Sequence, residues 1–420
     1  MSNPAIPSAS PLTLSPALRA FARVVVDKSP TNDAHMHEAS AQWASRPNEE
    51  RYWNFPDAIS ASEAFRNRLT LRDASPEEFE IINYGNVPAL RNMRKNSVAK
   101  LSPLAVDQIC RLTKSPANYI RTLPGNIAAD CLRHGWEANR GSDAIRLQVM
   151  DAATDNRTIR AITSPSHDYL ANSQLLQAFG RLVEEGKGWK IPPARWNGDD
   201  KVSKRTAKEA DVLKHAGTGM SPKVGDEICA SGLYVSDRDC FSIIVDDTQS
   251  MDEEGGMYRF MMAGNSEVAC GPLEFWSGRM RGICGNHILW NVADVINIRA
   301  IHKGDNATRN LSRMSAEVSR RNWRDDRKEF AAAIAAARVC QIAKNKEELI
   351  ALLFGRKILS KRDAEVAWNV NSDLASIDGP TGSAWGIVNA ITRMSQYSRF
   401  HADRLEMDEA GGKVMEMARN

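Results

Sequence analysis

The stretch from Val235 to Ala300 constrains this chain most. Three short runs, within SDRDCFSIIVDD, MYRFMMAGNSEVACGPLEFW and SGRMRGIC, are rich in Val, Ile, Phe, Tyr and Trp and bounded by Asp, Gly, Asn and Ser. Runs of that kind read as strands. Ile288, Leu289, Val292, Val295 and Ile296 follow at a spacing that puts one apolar stripe on a helix face. Between them, Arg279 to His287 is the densest cluster of Arg, Cys, Asn and His in the chain. An α+β fold is expected, an antiparallel sheet of hairpins with packed helices, followed by a mostly helical C-terminal region.

With 420 residues and 42% apolar content, the chain has material for a sizeable core and more than one domain. Its charge is unevenly spread. Asp226 to Glu267 holds ten acidic and two basic residues, whereas Arg299 to Arg362 holds sixteen basic and seven acidic. Such asymmetry suggests a basic face for a polyanion beside an acidic region; the plainer alternative is segregation of solvated charges. The seven cysteines include no C-x-x-C pair, and their odd number argues against a disulfide framework. No apolar run of membrane length and no secretory leader is present, so a cytoplasmic location and no membrane partner are expected.

In chain order, residues 1–40 are expected to be a disordered tail with a short helical piece around Leu18 to Val26. The α+β core is placed at 41–302. Trp43 to Trp53 interleaves aromatics with arginines, a pattern for packing on a core or for stacking on bases. Ser102 to Trp136 reads as helices broken at Lys114-Ser-Pro116 and Leu123-Pro124-Gly125, with Arg111, Lys114, Arg121 and Arg133 exposed. Ala144 to Met150 and Arg157 to Ser164 read as a hairpin, Asn172 to Glu185 as a helix capped by Asn172 or Ser173, and 199–222 as a mobile loop. The helical region is placed at 303–420. Trp323 to Gln341, Glu347 to Phe354 and Ser383 to His401 are its helices, Ser360 with Asp363 a capping box, and the last twenty residues a frayed end. Trp385 and Asn389, four apart, should share a face, one buried and the other hydrogen-bonded.

Several groups could carry chemistry. Cys284, His287 and His302 are suitable zinc donors without standard spacing, and Cys284 with His287 or His134 could form a thiolate pair. Asp237, Asp239, Asp246, Asp247, Asp252, Glu253 and Glu254 could hold magnesium, although aspartates are ordinary in turns. No P-loop or dinucleotide fingerprint occurs, so no cofactor is expected. Arg279 and Arg281 alternate along a strand and could fork onto phosphates, with the Asn286 amide as a further donor, or could pair with the acidic 226–267 region.

Further residues carry a resemblance. Trp43-Ala-Ser-Arg-Pro-Asn-Glu-Glu-Arg51, SPANYIRTLPGNIAADCL before Arg133, Asn265-Ser266-Glu267-Val268, Arg281-Gly-Ile-Cys284-Gly-Asn286 and Gly382-Ser-Ala-Trp385-Gly386-Ile-Val-Asn389-Ala390 together resemble the phage/plasmid-like protein family known as domain of unknown function 932. Ser164-Pro-Ser-His167-Asp-Tyr169 departs from it, since relatives tend to carry Arg before Tyr. The resemblance implies a gene of phages, plasmids or integrated elements and transfers no catalytic residue. The expected order of hairpin, strand and helix is also similar to that of single-strand annealing proteins of the Erf and Red-beta kind. The leading expectation is a nucleic-acid-binding protein of a mobile element, with single-stranded DNA as the favoured partner in recombination or replication. Its candidate contacts are Arg279, Arg281, Asn286, Lys303, Arg309, Arg313, Arg320 and Arg321. The alternatives are a metal- or Cys-dependent enzyme acting on a nucleotide or nucleic acid, and a non-catalytic interaction factor. A second copy of the chain is a further candidate partner.

Overall fold

The computed structural model describes residues 15–27, 50–52, 54–139, 141, 143–154, 156–184, 188–191, 205–206, 227–228, 232–251, 257–281, 286–288, 297–320, 327–398 and 401–418. The strands expected in the 235–281 stretch are its spine. β12 (Asp239–Met251), β13 (Met257–Ser266) and β14 (Leu273–Arg281) form an antiparallel meander. β11 (Leu233–Val235) and β1 (Arg51–Tyr52) extend one side, and β8 (Trp189–Lys190) pairs with β12 further along. Alternate residues face opposite ways. Cys240, Ile244, Met261, Ala263, Leu273 and Phe275 lie under α2 (Phe55–Asn67), α6 (Asn172–Glu184) and α7 (Asn306–Arg320). Ile243, Val245, Phe260, Met262 and Trp276 fill the other face. A sheet covered on both sides explains why these strands read as nearly continuous apolar runs.

The helix expected over Ile288 to Ile296 is corrected at its first residue, and a further strand follows its last. Asn286–Ile288 is a strand, β15, and Asn297–Ala300 is another, β16, both pairing with β14. Residues 289–296 between them lie outside the described residues. In β16, Ile298 and Ala300 are buried while Asn297 and Arg299 are exposed, a period of two rather than 3.6. The unpaired backbone of β14 outweighs the helical pattern there.

A second sheet runs in the order β2 (Leu69–Ala74), β6 (Ile145–Met150), β7 (Thr158–Thr163), β5 (Ser97–Leu101), β4 (Val87–Asn92), β3 (Phe79–Tyr84). Its β6–β7 hairpin is the one expected, and the β5–β7 pair is parallel. One face packs on α3 (Pro103–Leu112) and α5 (Gly125–Asn139), joined through the short α4 (Ala117–Ile120), as the expected breaks require. Trp136 is fully buried there and donates its indole N–H to the Phe79 carbonyl at 3.1 Å. Arg111, Lys114 and Arg133 are exposed as expected, whereas Arg121 is largely covered and pairs with the buried Asp107.

The C-terminal half is helical: α8 (Arg327–Val339), α9 (Lys346–Gly355), α10 (Lys361–Asp373), α11 (Ala375–Asp378), α12 (Ala384–Ser395) and α13 (His401–Met417). Ser360 caps α10, its hydroxyl accepting from the Asp363 N–H and donating to the Asp363 carboxylate. α7 packs its Ala307, Leu311, Met314 and Val318 on the first sheet, so the sheet core runs past the boundary expected at 302. Two further expectations are corrected. Within the expected tail, the helical piece expected around Leu18 to Val26 is present as α1 (Pro16–Asp27), but it is not disordered: it buries Leu18 and Phe21 in the helical core. The expected frayed end is α13, with Leu405, Ala410, Val414 and Met415 buried. Small residues in α13, including Gly411 against Thr392, allow close approach without a recognisable apolar stripe. The loop expected at 199–222 lies outside the described residues, apart from the two-residue strand β9 (Arg205–Thr206), which pairs with β10 (Glu227–Ile228).

Candidate functional site

Asn265 to Val268 closes β13 and enters the seam between the two sheets. Glu267 is only 3% exposed. One carboxylate oxygen accepts from Arg160 at 3.1 Å and from the Tyr169 hydroxyl at 3.0 Å; the other accepts from the Asn172 N–H at 2.7 Å, at the first turn of α6. Asn172 therefore opens α6 rather than capping it, and the acid caps that end from another element. A carboxylate suits a helix N-terminus because the free N–H groups point at it. The Gln148 amide donates to the Glu267 carbonyl at 2.7 Å, and the Gln108 amide to the Val268 carbonyl at 3.0 Å. Arg160, 2% exposed, also donates to the Gln148 side-chain oxygen Oε1 and to the Asp237 main-chain carbonyl. Two strands of the second sheet and two helices thus meet on Glu267 and Val268, at the end of β13.

The departing loop, Ser164 to Tyr169, belongs to the same seam. The His167 Nε2–H donates to the Glu267 carbonyl at 3.3 Å, and the His302 Nδ1–H to the Asp168 carbonyl at 2.7 Å, with the two rings 5.1 Å apart. The Asp168 carboxylate receives both the N–H and the hydroxyl of Thr308, fastening the start of α7. Burial, with His302 and then Arg146 alongside, holds the His167 imidazole down at about 4. Burial also lowers His302 and raises the Glu267 carboxyl and the Tyr169 hydroxyl. Burial thus favours the neutral form of both rings at pH 7, and the His302 Nε2 is buried without a hydrogen-bond partner among the described residues.

A pH dependence follows. A His whose folded value lies below its unfolded value of 6.5 binds its proton mainly in the unfolded state. His167 thus contributes stability that is complete above pH 6.5 and is lost as pH falls toward 4, on the order of 3 kcal/mol in all. His302 acts in the same sense, while Glu267, raised by burial, acts in the opposite one. Comparing the urea stability of wild type and His167→Gln from pH 7.5 to pH 4 isolates the contribution. The slope should be shallower in the variant, and equal slopes would rule it out.

The eight candidate contacts do not form one surface. Arg279 is 3% exposed, with its guanidinium 5.5 Å from the centre of the Phe330 ring of α8. Its expected role as an exposed phosphate contact is corrected for that reason. It lies directly opposite Arg259, which is also buried. Only the backbone is described for Arg281 and Asn286, which pair with each other across β14 and β15, and for Arg320 at the end of α7; Arg321 lies outside the described residues. Lys303, Arg309 and Arg313 are exposed.

The candidate zinc and thiolate sets both need Cys284 and draw on His287, whose side chains are not described. His302 is engaged at the seam, and among the described residues no three His, Cys, Asp or Glu side chains are grouped to hold a metal. Of the acidic candidates, Asp239 accepts from Ser236 within its turn, Asp246 accepts from Thr248, and Asp237 pairs with Arg238. The side chain of Asp247, and Asp252 to Glu254, lie outside the described residues.

One surface has no counterpart in the sequence reading. On the face of the second sheet turned away from α3 and α5, Tyr84 is 46% exposed and the Lys100 ammonium stands 6.0 Å from the centre of its ring. The alternation of Ile81-Ile82-Asn83-Tyr84 about Gly85-Asn86, both with φ of 62°, is the hairpin signal that could have found it. No family model, curated protein or solved structure matches the chain.

Proposed function

We propose that this protein binds nucleic acid, in the service of a phage- or plasmid-type mobile element, with single-stranded DNA as the favoured partner. One observation carries the reading. Lys303, Arg309 and Arg313 are exposed at the start and along the outer side of α7, whose inner side is locked into the sheet core through Ala307, Leu311, Met314 and Val318. Arg309 and Arg313 stand about 6 Å apart along the axis, one turn of helix. Arg309 pairs with Asp305, but both are exposed and such a pair is weak. Arg313 has no ion-pair partner among the described residues. Fixed, solvated cations at this spacing suit phosphates and read no bases. The resemblance to domain of unknown function 932 supports the mobile-element setting.

The test is a salt titration of binding to single- and double-stranded DNA, with turnover checked with and without magnesium. Affinity should fall steeply with salt. Arg309→Gln with Arg313→Gln should weaken binding to all sequences alike and reduce the salt slope by up to about two. These exposed positions should leave the melting temperature nearly unchanged. Absence of nucleic-acid binding by the wild type would overturn the proposal.

A further inference from the structure

The second sheet buries one face under α3 and α5 and leaves part of the other open at its β3–β4–β5 end. Register aligns the residues of that open face. Tyr84 pairs with Val87; Ala89 stands between Ile82 and Lys100, and Arg91 between Glu80 and Val98. Ala89 is fully buried although it points to the open side, between the strands that carry Tyr84 and Lys100. The ring of Tyr84 and the ammonium of Lys100 meet across β4, with this smallest of side chains between them. Arg91 pairs with Glu80 further along, and the β4–β5 turn ends the face with exposed Arg94 and Lys95. Lys100 stands beside the half-exposed ring, and Arg91, paired with Glu80, then Arg94 and Lys95 follow along β4 to its far end, about 17 Å on, where Glu78 adjoins the turn. A partner that matches must be anionic and must offer flat apolar faces. Unstacked bases on a phosphate backbone have both properties, whereas a duplex keeps its base faces stacked inside.

We infer that the open β3–β4–β5 face is a stacking platform for single-stranded nucleic acid, with a base on Tyr84 and phosphates on Lys100 and the Arg94–Lys95 turn. This deepens the proposed function and rests on it. Tyr84 is exposed and belongs to no core cluster, so its replacement should leave the fold intact.

The experiment compares wild type, Tyr84→Leu, Tyr84→Phe and Lys100→Gln by fluorescence anisotropy. The probes are a labelled single-stranded DNA oligonucleotide, its RNA equivalent and a duplex of the same length. Tyr84→Leu should lose about 5- to 150-fold in single-strand affinity, as expected for one stacked base, at an unchanged salt slope. Tyr84→Phe should keep the affinity, and Lys100→Gln should reduce the salt slope by about 0.7. Duplex binding should stay the same in all four. The DNA and RNA arms identify which strand the platform favours. Equal single-strand affinity in wild type and Tyr84→Leu overturns this inference alone. A wild type that binds no nucleic acid overturns the reading beneath it. Displacement by an acidic peptide as effectively as by unlabelled oligonucleotide, in wild type and Tyr84→Leu alike, assigns the face to charge only and also overturns the platform. Should Tyr84→Leu unfold, photocrosslinking of the wild type decides the matter, since the attached residue must fall within 80–100.

Discussion

Glu267→Ala lowers the unfolding free energy by roughly 3–5 kcal/mol, the cost of leaving one member of a buried ion pair alone. The carboxylate serves three donors, Arg160, Tyr169 and the Asn172 N–H, and solvent reaches none of them freely. Removing it leaves the Arg160 charge with only the Gln148 and Asp237 oxygens, and leaves the first turn of α6 uncapped. Because burial already raises the Glu267 carboxyl, Glu267→Gln should cost less than Glu267→Ala, since it keeps size and an acceptor. Urea unfolding of both variants measures the difference. An unchanged midpoint for Glu267→Ala would show that the seam is held by something other than this acid.

Trp385→Ala should cost a similar amount, roughly 3–5 kcal/mol, for a different reason. Its ring is fully buried among α8, α9, α10 and α12, and truncation leaves a cavity that packed helices only partly close. The residues beside it are fitted to that site. Gly386 has Asn371 so near that a Cβ would stand 2.3 Å from its amide nitrogen. Asn371 in turn accepts from the Gly382 N–H, where φ is 76°, and the Asn389 amide donates to the Asp378 carbonyl at 3.1 Å. Thermal unfolding reports the loss, and an unshifted melting temperature would refute the anchoring role. The chain break, the shared face of Trp385 and Asn389, and their burial and bonding were all legible in the sequence, because each rests on local spacing.

Other features were legible only in part. The strands of the 235–281 stretch announced themselves by composition and boundaries, yet composition cannot say which faces are covered. Alternation placed Arg279 and Arg281 on one side of a strand; that this side is buried at Arg279 depends on Phe330, a residue of another element. The 286–300 segment carries apolar residues that satisfy both a helical and an alternating period, and the open side of β14 decides for strands at its two ends. Of β2 to β5, the β3–β4 hairpin alone carries a strong local signal, Gly85-Asn86 between two apolar runs. The seam was not legible at all. The Glu267 carboxylate finds its partners 95 to 107 positions away, where no local periodicity reaches.

The docking of α1 gives the chain an awkward order of manufacture. The Ala17 N–H is bonded to Asp373, 356 positions later, and Leu18 and Phe21 share a core with Trp385 and Val414. A helix made early on the ribosome therefore waits through nearly the whole of translation for the surface it belongs to. Until α10 and α12 emerge, its apolar side has no native cover, while the two sheets can form beforehand. Closing so long a loop adds a late entropic step, and the nascent chain is most open to aggregation and chaperone capture before that step is complete.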